Sequence, residues 1–334
     1  MMKHLCILIM ACAINVSLAA QKPFITTWKT DNPGISRDNQ IVIPTIGFGY
    51  YYEVDWGDGT IEKGLTGDAM HSYKKAGTYQ VSIKGEFPSI YFNSAGDKEK
   101  LLSVDQWGDI QWKSMTRAFK GCSNLHVWAK DAPNLKHAED VSGMFEMAIS
   151  FNEPIAHWEM ASVKNMSDMF KDASAFNQNI NAWDVSNVQD MSGLFWQATA
   201  YNKPLFNWEV DNVQNMAYMF WGASSFNQNI GNWNVMRVKS MGAMFEGAQS
   251  FNKDISGWDV SQVDILTGMF MGAISFDQDL ADWKVNNAQD VSNMFSFSGL
   301  SEDNYELIVM NWKKRSVFRG TLNIETLSVS VEKQ

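Results

Sequence analysis

The sequence predicts a repeat solenoid of short parallel strands plus short helical turns, preceded by a small β-sandwich. Three observations predict it. Tryptophan recurs at positions 158, 183, 208, 233, 258 and 283, a step of 25 residues without a slip. A Met/Leu-Phe pair keeps the same step at 144–145, 169–170, 194–195, 219–220, 244–245, 269–270 and 294–295. Upstream, runs of β-branched and aromatic residues alternate with turn-forming residues. A fixed period of this size marks units that stack, because one unit cannot bury its own apolar face.

The N-terminus reads as a targeting segment. Lys3 and His4 precede an apolar run from Leu5 to Leu18, and the small residues Ala19 and Ala20 follow. This is the order of a secretory signal with cleavage near Ala20. An alternative reading takes Cys12 as a lipoprotein acylation site. No other stretch is apolar for long enough to span a bilayer, so the mature chain is expected to carry no transmembrane segment. Without Cys6 and Cys12, only Cys122 remains, and no internal disulfide can form. Cys122 lies three residues after Phe119, where the later repeats place alanine, so it reads as a small core residue.

Residues 21–95 read as a small β domain. The segments 41–43, 50–55 and 79–83 are rich in β-branched and aromatic residues, and Asn32-Pro33-Gly34, Gly57-Asp58-Gly59 and Ala76-Gly77 punctuate them. Asp58-Gly59 between apolar runs signals a hairpin, since glycine accepts the positive φ of such turns. Asp55 and Asp58 serve either as acceptors for turn amides or as calcium ligands, with turn chemistry the simpler role.

Residues 96–300 read as about eight repeats. Trp107 precedes Phe119 by the same interval as Trp183 precedes Phe195, which marks 100–124 as a degenerate first repeat. One inserted residue near Ala132-Pro133 explains the 26-residue step from Phe119 to Phe145. Within a repeat, Asn177–Trp183 is expected to be extended. Asp190–Thr199 is expected to be a short helix or 3₁₀ turn capped by Asp190, because Met191, Leu194, Phe195 and Ala198 fall at i, i+3, i+4 and i+7. The column Asn152, Asn177, Asn202, Asn227, Asn252, Asp277 reads as a ladder of side chains bonding the backbone of the adjoining repeat. Residues 301–334 read as a cap: Ser301 opens an amphipathic helix over 301–315, and 322–331 alternates like a last strand.

Composition bounds the function. The formal net charge is −10, with no basic cluster, which argues against a nucleic-acid partner. His71, His126, His137 and His157 share no metal-ligand spacing, and no nucleophile elbow or phosphate loop occurs. No enzyme activity, metal or cofactor is therefore expected. Binding residues should lie where the repeat tolerates change. The position after each Met/Leu-Phe pair reads Glu146, Lys171, Trp196, Trp221, Glu246, Met271. Trp196 and Trp221 are expected to stack one repeat apart on an exposed face, with Met271 further along. Phe206 stands where other repeats have Ala156, Asn181, Gly231 or Ser256. Exposed aromatics of this kind are enriched at binding sites.

Two resemblances extend this reading. The stretch VDWGDGT (54–60), HSY (71–73) and AGTYQVSI (76–83) resembles the polycystic-kidney-disease-type (PKD) immunoglobulin-like domain. The phrases FNQNI (176–180 and 226–230) and WDVSNV (183–188) resemble the 25-residue repeat of bacterial BspA-type leucine-rich-repeat surface proteins, first noted in mycoplasma lipoproteins; that resemblance covers roughly residues 85 to 300. It implies a leucine-rich-repeat-like fold and an exported protein, secreted or at the cell surface, that mediates adhesion by binding an extracellular protein. A glycan partner held by the exposed aromatics, or a spacer role, are the alternatives.

Overall fold

Strand β1 (Phe24–Lys29) alternates as its sequence demands, with Phe24, Thr26 and Trp28 buried. In the computed structural model, which describes residues 21–285 and 287–315, it lies inside a six-stranded sheet. The expected signal at 1–20, the Cys12 alternative and the expected last strand at 322–331 lie outside the described residues. The remaining strands are β2 (Gln40–Ile43), β3 (Tyr51–Asp55), β4 (Ile61–Leu65), β5 (Ala69–Ser72), β6 (Thr78–Glu86), β7 (Leu101–Gln106) and β8 (His126–Val127). The large sheet runs β4-β3-β6-β1-β7-β8, antiparallel except for the parallel β7–β8 pair, and β2 pairs with β5 alone.

The β3–β4 hairpin forms where Asp58-Gly59 signals it. Trp56 N–H donates to the Thr60 carbonyl at 3.0 Å, and Gly57 and Gly59 take φ of 77° and 91°. Asp55 and Asp58 act in the turn itself, accepting from the amides of Gly57 and Thr60, each at 3.0 Å.

The PKD-like reading is corrected here. The sheet does not end with the first hundred residues: β7 flanks β1, with Thr27 opposite Ser103, and β8 extends the sheet to Val127. The stretch expected to be a first degenerate repeat thus begins as a sheet strand. Phe24, Trp107 and Trp112 join the two parts of the chain in one core, with Phe24 centroids 5.7 and 5.1 Å from the two indoles.

The leucine-rich-repeat-like solenoid is also corrected. The described chain is mostly β and turn with one helix, α1 (Glu302–Arg315), and neither unit of the expected repeat forms. Asn177–Trp183 is not a strand; successive turns are joined by single parallel bridges, such as Asp190 to Asn215 and Asn215 to Ser240. Asp190–Thr199 is not a helix, because Gly193 and Gln197 have φ of 60° and 54°, and a left-handed residue ends any right-handed helix. Asp190 does not cap one either: its Oδ1 accepts from Ser192 N–H, two residues on, at 2.8 Å, which is an Asx turn.

What the 25-residue spacing produces is a ladder of turns. The N–H groups of Met191, Gly193, Phe195 and Gln197 donate to the carbonyls of Asn215, Ala217, Met219 and Trp221. Those of Leu194, Trp196 and Ala198 fold back to Met191, Gly193 and Phe195. Every second amide thus bonds forward and the others bond within the turn, which leaves no unpaired run of backbone. The rings of Phe145, Phe170, Phe195, Phe220, Phe245, Phe270 and Phe295 follow one another at 5.5–5.9 Å. The asparagine column bonds as expected. Asn152 Oδ1 accepts from Asn177 N–H at 2.9 Å, and the pattern repeats to Asp277.

Helix α1 covers the last turn. Ser301 receives the Tyr305 amide on its carbonyl, Glu302 and Asp303 occupy the first turn, and Ile308 and Trp312 are buried one helical turn apart. No helix among the described residues is long and apolar enough to cross a membrane.

Candidate functional site

Each turn of the ladder exposes the same few positions. In the 191–198 segment the apolar residues Met191, Leu194, Phe195 and Ala198 are buried, while Trp196 and Gln197 are half-buried. The residue after each phenylalanine and the left-handed residue that follows it therefore form a face whose chemistry is free to vary. From Lys171 onward the first of these columns reads Lys171, Trp196, Trp221, Glu246 and Met271, and the second reads Asp172, Gln197, Gly222, Gly247 and Gly272.

An aromatic cluster sits on this face. The Trp196 and Trp221 centroids are 5.0 Å apart with planes inclined at 44°, so they touch at a tilt rather than stacking flat. Tyr218, which is 43% exposed, stacks on Trp196 at 5.0 Å and 26°. Lys171 Nζ lies 4.1 Å from the Trp196 ring centroid, a cation–π distance, and 3.9 Å from Asp168. The Asp168 carboxyl is raised by burial, which outweighs the nearby Lys171.

A groove of about 560 Å³ continues from this cluster. Its floor is Gly222, Gly247 and Gly272. The residues just before those glycines, Trp221, Glu246 and Met271, line it, as do Thr199, Ser224 and Gln249; Gln197 and Phe297 bound it. The three glycines have φ of 64°, 66° and 69°. The conformation alone does not demand glycine, since Met147, Asp172, Gln197 and Phe297 adopt it at the same register with φ of 54–60°. A Cβ on Gly247 would come no closer than 3.6 Å to Gly222, and one on Gly272 no closer than 3.7 Å to Gly247. Side chains would fit at Gly247 and Gly272 and would fill the groove, whereas a Cβ on Gly222 would meet the Gln197 side-chain amide at 2.8 Å. Glu246 is its acidic member; burial raises its carboxyl, and interaction with the Trp221 side chain offsets only part of that.

Of the residues expected from sequence, Trp196 and Trp221 are brought together, and Trp221 and Met271 line the groove. Phe206 does not; it is 50% exposed in the segment leading to Trp208, outside both groove and cluster. Tyr218, Gln197, Phe297 and the three glycines escaped the sequence reading. Reading the glycines as a column would have found them, since other repeats carry large residues there. Cys122 is buried, as its small-residue column suggests, and burial pushes its thiol up. Among the described residues no group of three or more His, Cys, Asp or Glu is placed to hold a metal ion.

The class so defined is a mostly β protein whose ladder of turns carries an aromatic face and a glycine-floored groove. The chain belongs to the family described as Mycoplasma protein of unknown function, DUF285, whose model matches residues 113–228 and 205–312, well over half of its length. The resemblance to BspA-type leucine-rich-repeat proteins with a PKD-like domain is thereby corrected, in agreement with the absence of strand-and-helix repeat units among the described residues. No curated protein and no solved structure matches the chain.

Proposed function

We propose that this is an exported, non-catalytic binding protein, secreted or held at the cell surface, that mediates adhesion by engaging an extracellular macromolecule through its aromatic face. The observation that carries the reading is the Trp196–Tyr218–Trp221 cluster. Three large rings meet at positions that neighbouring repeats fill with Asp168, Lys171, Ala243 and Glu246. Nothing in the stacking of the turns requires them there, and partly exposed aromatics contribute strongly when a partner desolvates them. The groove on this face is lined by one carboxylate, Glu246, by hydroxyl and amide groups, and by no histidine or cysteine.

The test is binding of the full chain to immobilised extracellular-matrix proteins and to a glycan array. The double variant Trp196→Ala/Trp221→Ala should lose at least tenfold in affinity for whichever partner binds, while circular dichroism and melting temperature stay close to those of the parent. Unchanged binding by a folded double variant would remove the face from the function.

A further inference from the structure

We infer that the glycine-floored groove beside Trp221 is a binding site for one extended chain of a neutral polysaccharide. This rests on the binding role just proposed and names the ligand class of the same face. The lining is two-sided. Trp221 and Met271 give an apolar flank, and Thr199, Ser224 and Gln249 give hydroxyl and amide groups that both donate and accept. A sugar ring has the matching division, with an apolar C–H face that lies on an indole and hydroxyls around its edge.

The groove's backbone argues against an extended peptide. The amides of Gly222, Gly247 and Gly272 already donate to the carbonyls of Glu246, Met271 and Ser296. A peptide adding as a strand needs unpaired main-chain groups, and the floor offers no such donors. Charge argues against an anionic chain. The groove lining contains no lysine or arginine, its one carboxylate is Glu246, and the protein as a whole carries −10. The length suits a polymer. From the Gln197 register to that of Phe297 is four steps of the ladder, about 19 Å at the usual spacing of paired strands.

The test uses affinity electrophoresis of the full chain in gels containing soluble neutral β-glucan, mannan or xylan, with alginate as the anionic control. Titration calorimetry with neutral oligosaccharides of increasing length accompanies it. At least one neutral polymer should retard the protein and alginate should not, with affinity rising with chain length until the groove is spanned. Gly247→Gln puts into the floor the residue that Gln197 already places at this register, and it should weaken polysaccharide binding at least tenfold. Gly272→Gln, at the neighbouring floor position, repeats the test should the first variant melt much lower than the parent. If folded floor variants bind the polymer as well as the parent does, the groove assignment is overturned. If matrix proteins bind in a Trp221-dependent way and no polysaccharide does, the ligand class is overturned while the aromatic face keeps its role. If Trp196→Ala/Trp221→Ala changes neither, both readings fall.

Discussion

Trp183 donates its indole N–H to the carbonyl of Ile155, 28 residues earlier, at 3.0 Å. The same bond recurs from Trp208 to Ile180, Trp233 to Leu205, Trp258 to Ile230 and Trp283 to Ile255, each at 3.1 Å. Each tryptophan is thus a buried ring and also a tie to the preceding turn. The series has two exceptions, and both are informative. Trp158 Nε1, in the first turn after the inserted residue near Ala132-Pro133, is buried without a partner. At the other end Trp312, on helix α1, donates to Leu280 at 3.0 Å, so the helix supplies the bond that one more repeat would have made.

The contrast between Trp158 and Trp208 gives the first prediction. Trp208→Phe keeps an aromatic ring and removes the donor. It should cost about 1 kcal/mol more stability than Trp158→Phe, where no bond is lost and an unpaired buried N–H is removed. Denaturant midpoints of the two variants at equal slope measure the difference. Equal losses would mean that the indole bonds contribute nothing beyond ring packing.

Tyr201 gives a prediction of opposite sign. It occupies the column of Phe176 and Phe226, and its ring lies 3.9 Å from that of Phe195. Its hydroxyl is fully buried without a partner, and burial pushes its pKa up. An unsatisfied buried hydroxyl costs on the order of 1–3 kcal/mol. Tyr201→Phe restores the residue of the neighbouring repeats and should stabilise the protein by about 1 kcal/mol, seen as a higher melting temperature. A lower one would mean that the hydroxyl has a partner in solution.

These examples show what was legible in the sequence. Columns that every turn needs were plain: the phenylalanines, the tryptophans, and the asparagines whose Oδ1 accepts the next asparagine's amide. The backbone that carries them was not. Met191, Leu194, Phe195 and Ala198 have helical spacing, yet they point into the core from consecutive turns broken by left-handed Gly193 and Gln197. The same apolar spacing fits a helix or such turns, and Gln197 gives no local sign of positive φ. Strand β7 was hidden because Leu101–Gln106 precedes Trp107, whose spacing to Phe119 mimics a repeat. At the candidate site the variable column gave Trp196 and Trp221. The groove escaped because it is made of absent side chains, and Phe206 misled because exposure in another column does not place it on the same face.

Lys100 and Asp97 anchor the 36–42 segment, and neither side chain reaches solvent. Lys100 Nζ donates to the carbonyls of Ser36, Arg37 and Gln40 at 2.9–3.1 Å, and Asp97 accepts from the amides of Ser36 and Val42 at 3.0 and 2.8 Å. Their own charged atoms are 3.9 Å apart. Removing one member of such a pair leaves the other buried without its countercharge, at about 3–5 kcal/mol. Lys100→Met should therefore destabilise the protein strongly in urea titrations. Asp97→Asn/Lys100→Met should be less destabilised than the sum of the two single variants.

Asp277 gives the pH prediction. It closes the asparagine column, and its Oδ1 accepts from Ser301 N–H, Ser301 Oγ and Asn304 Nδ2 at 3.0, 2.8 and 2.7 Å, tying the last turn to the start of α1. Burial alone would raise its pKa, but the Ser301 amide, the Asn304 amide group and the Ser301 hydroxyl together hold it below the usual carboxylate range. A carboxyl lowered in the folded state contributes stability that is fully present above its unfolded pKa, near 3.9, and is lost as pH falls through the folded value. Protection of the α1 amides from hydrogen exchange should therefore fall in that acid window, beyond any change elsewhere in the chain. Asp277→Asn keeps an acceptor of the type used in the earlier repeats but removes its charge. It should lower α1 protection at neutral pH by about 1 kcal/mol, since charge-assisted bonds are roughly twice as strong as neutral ones, and it should flatten the acid dependence. Acid loss of α1 protection that is identical in the variant would place the titrating group elsewhere.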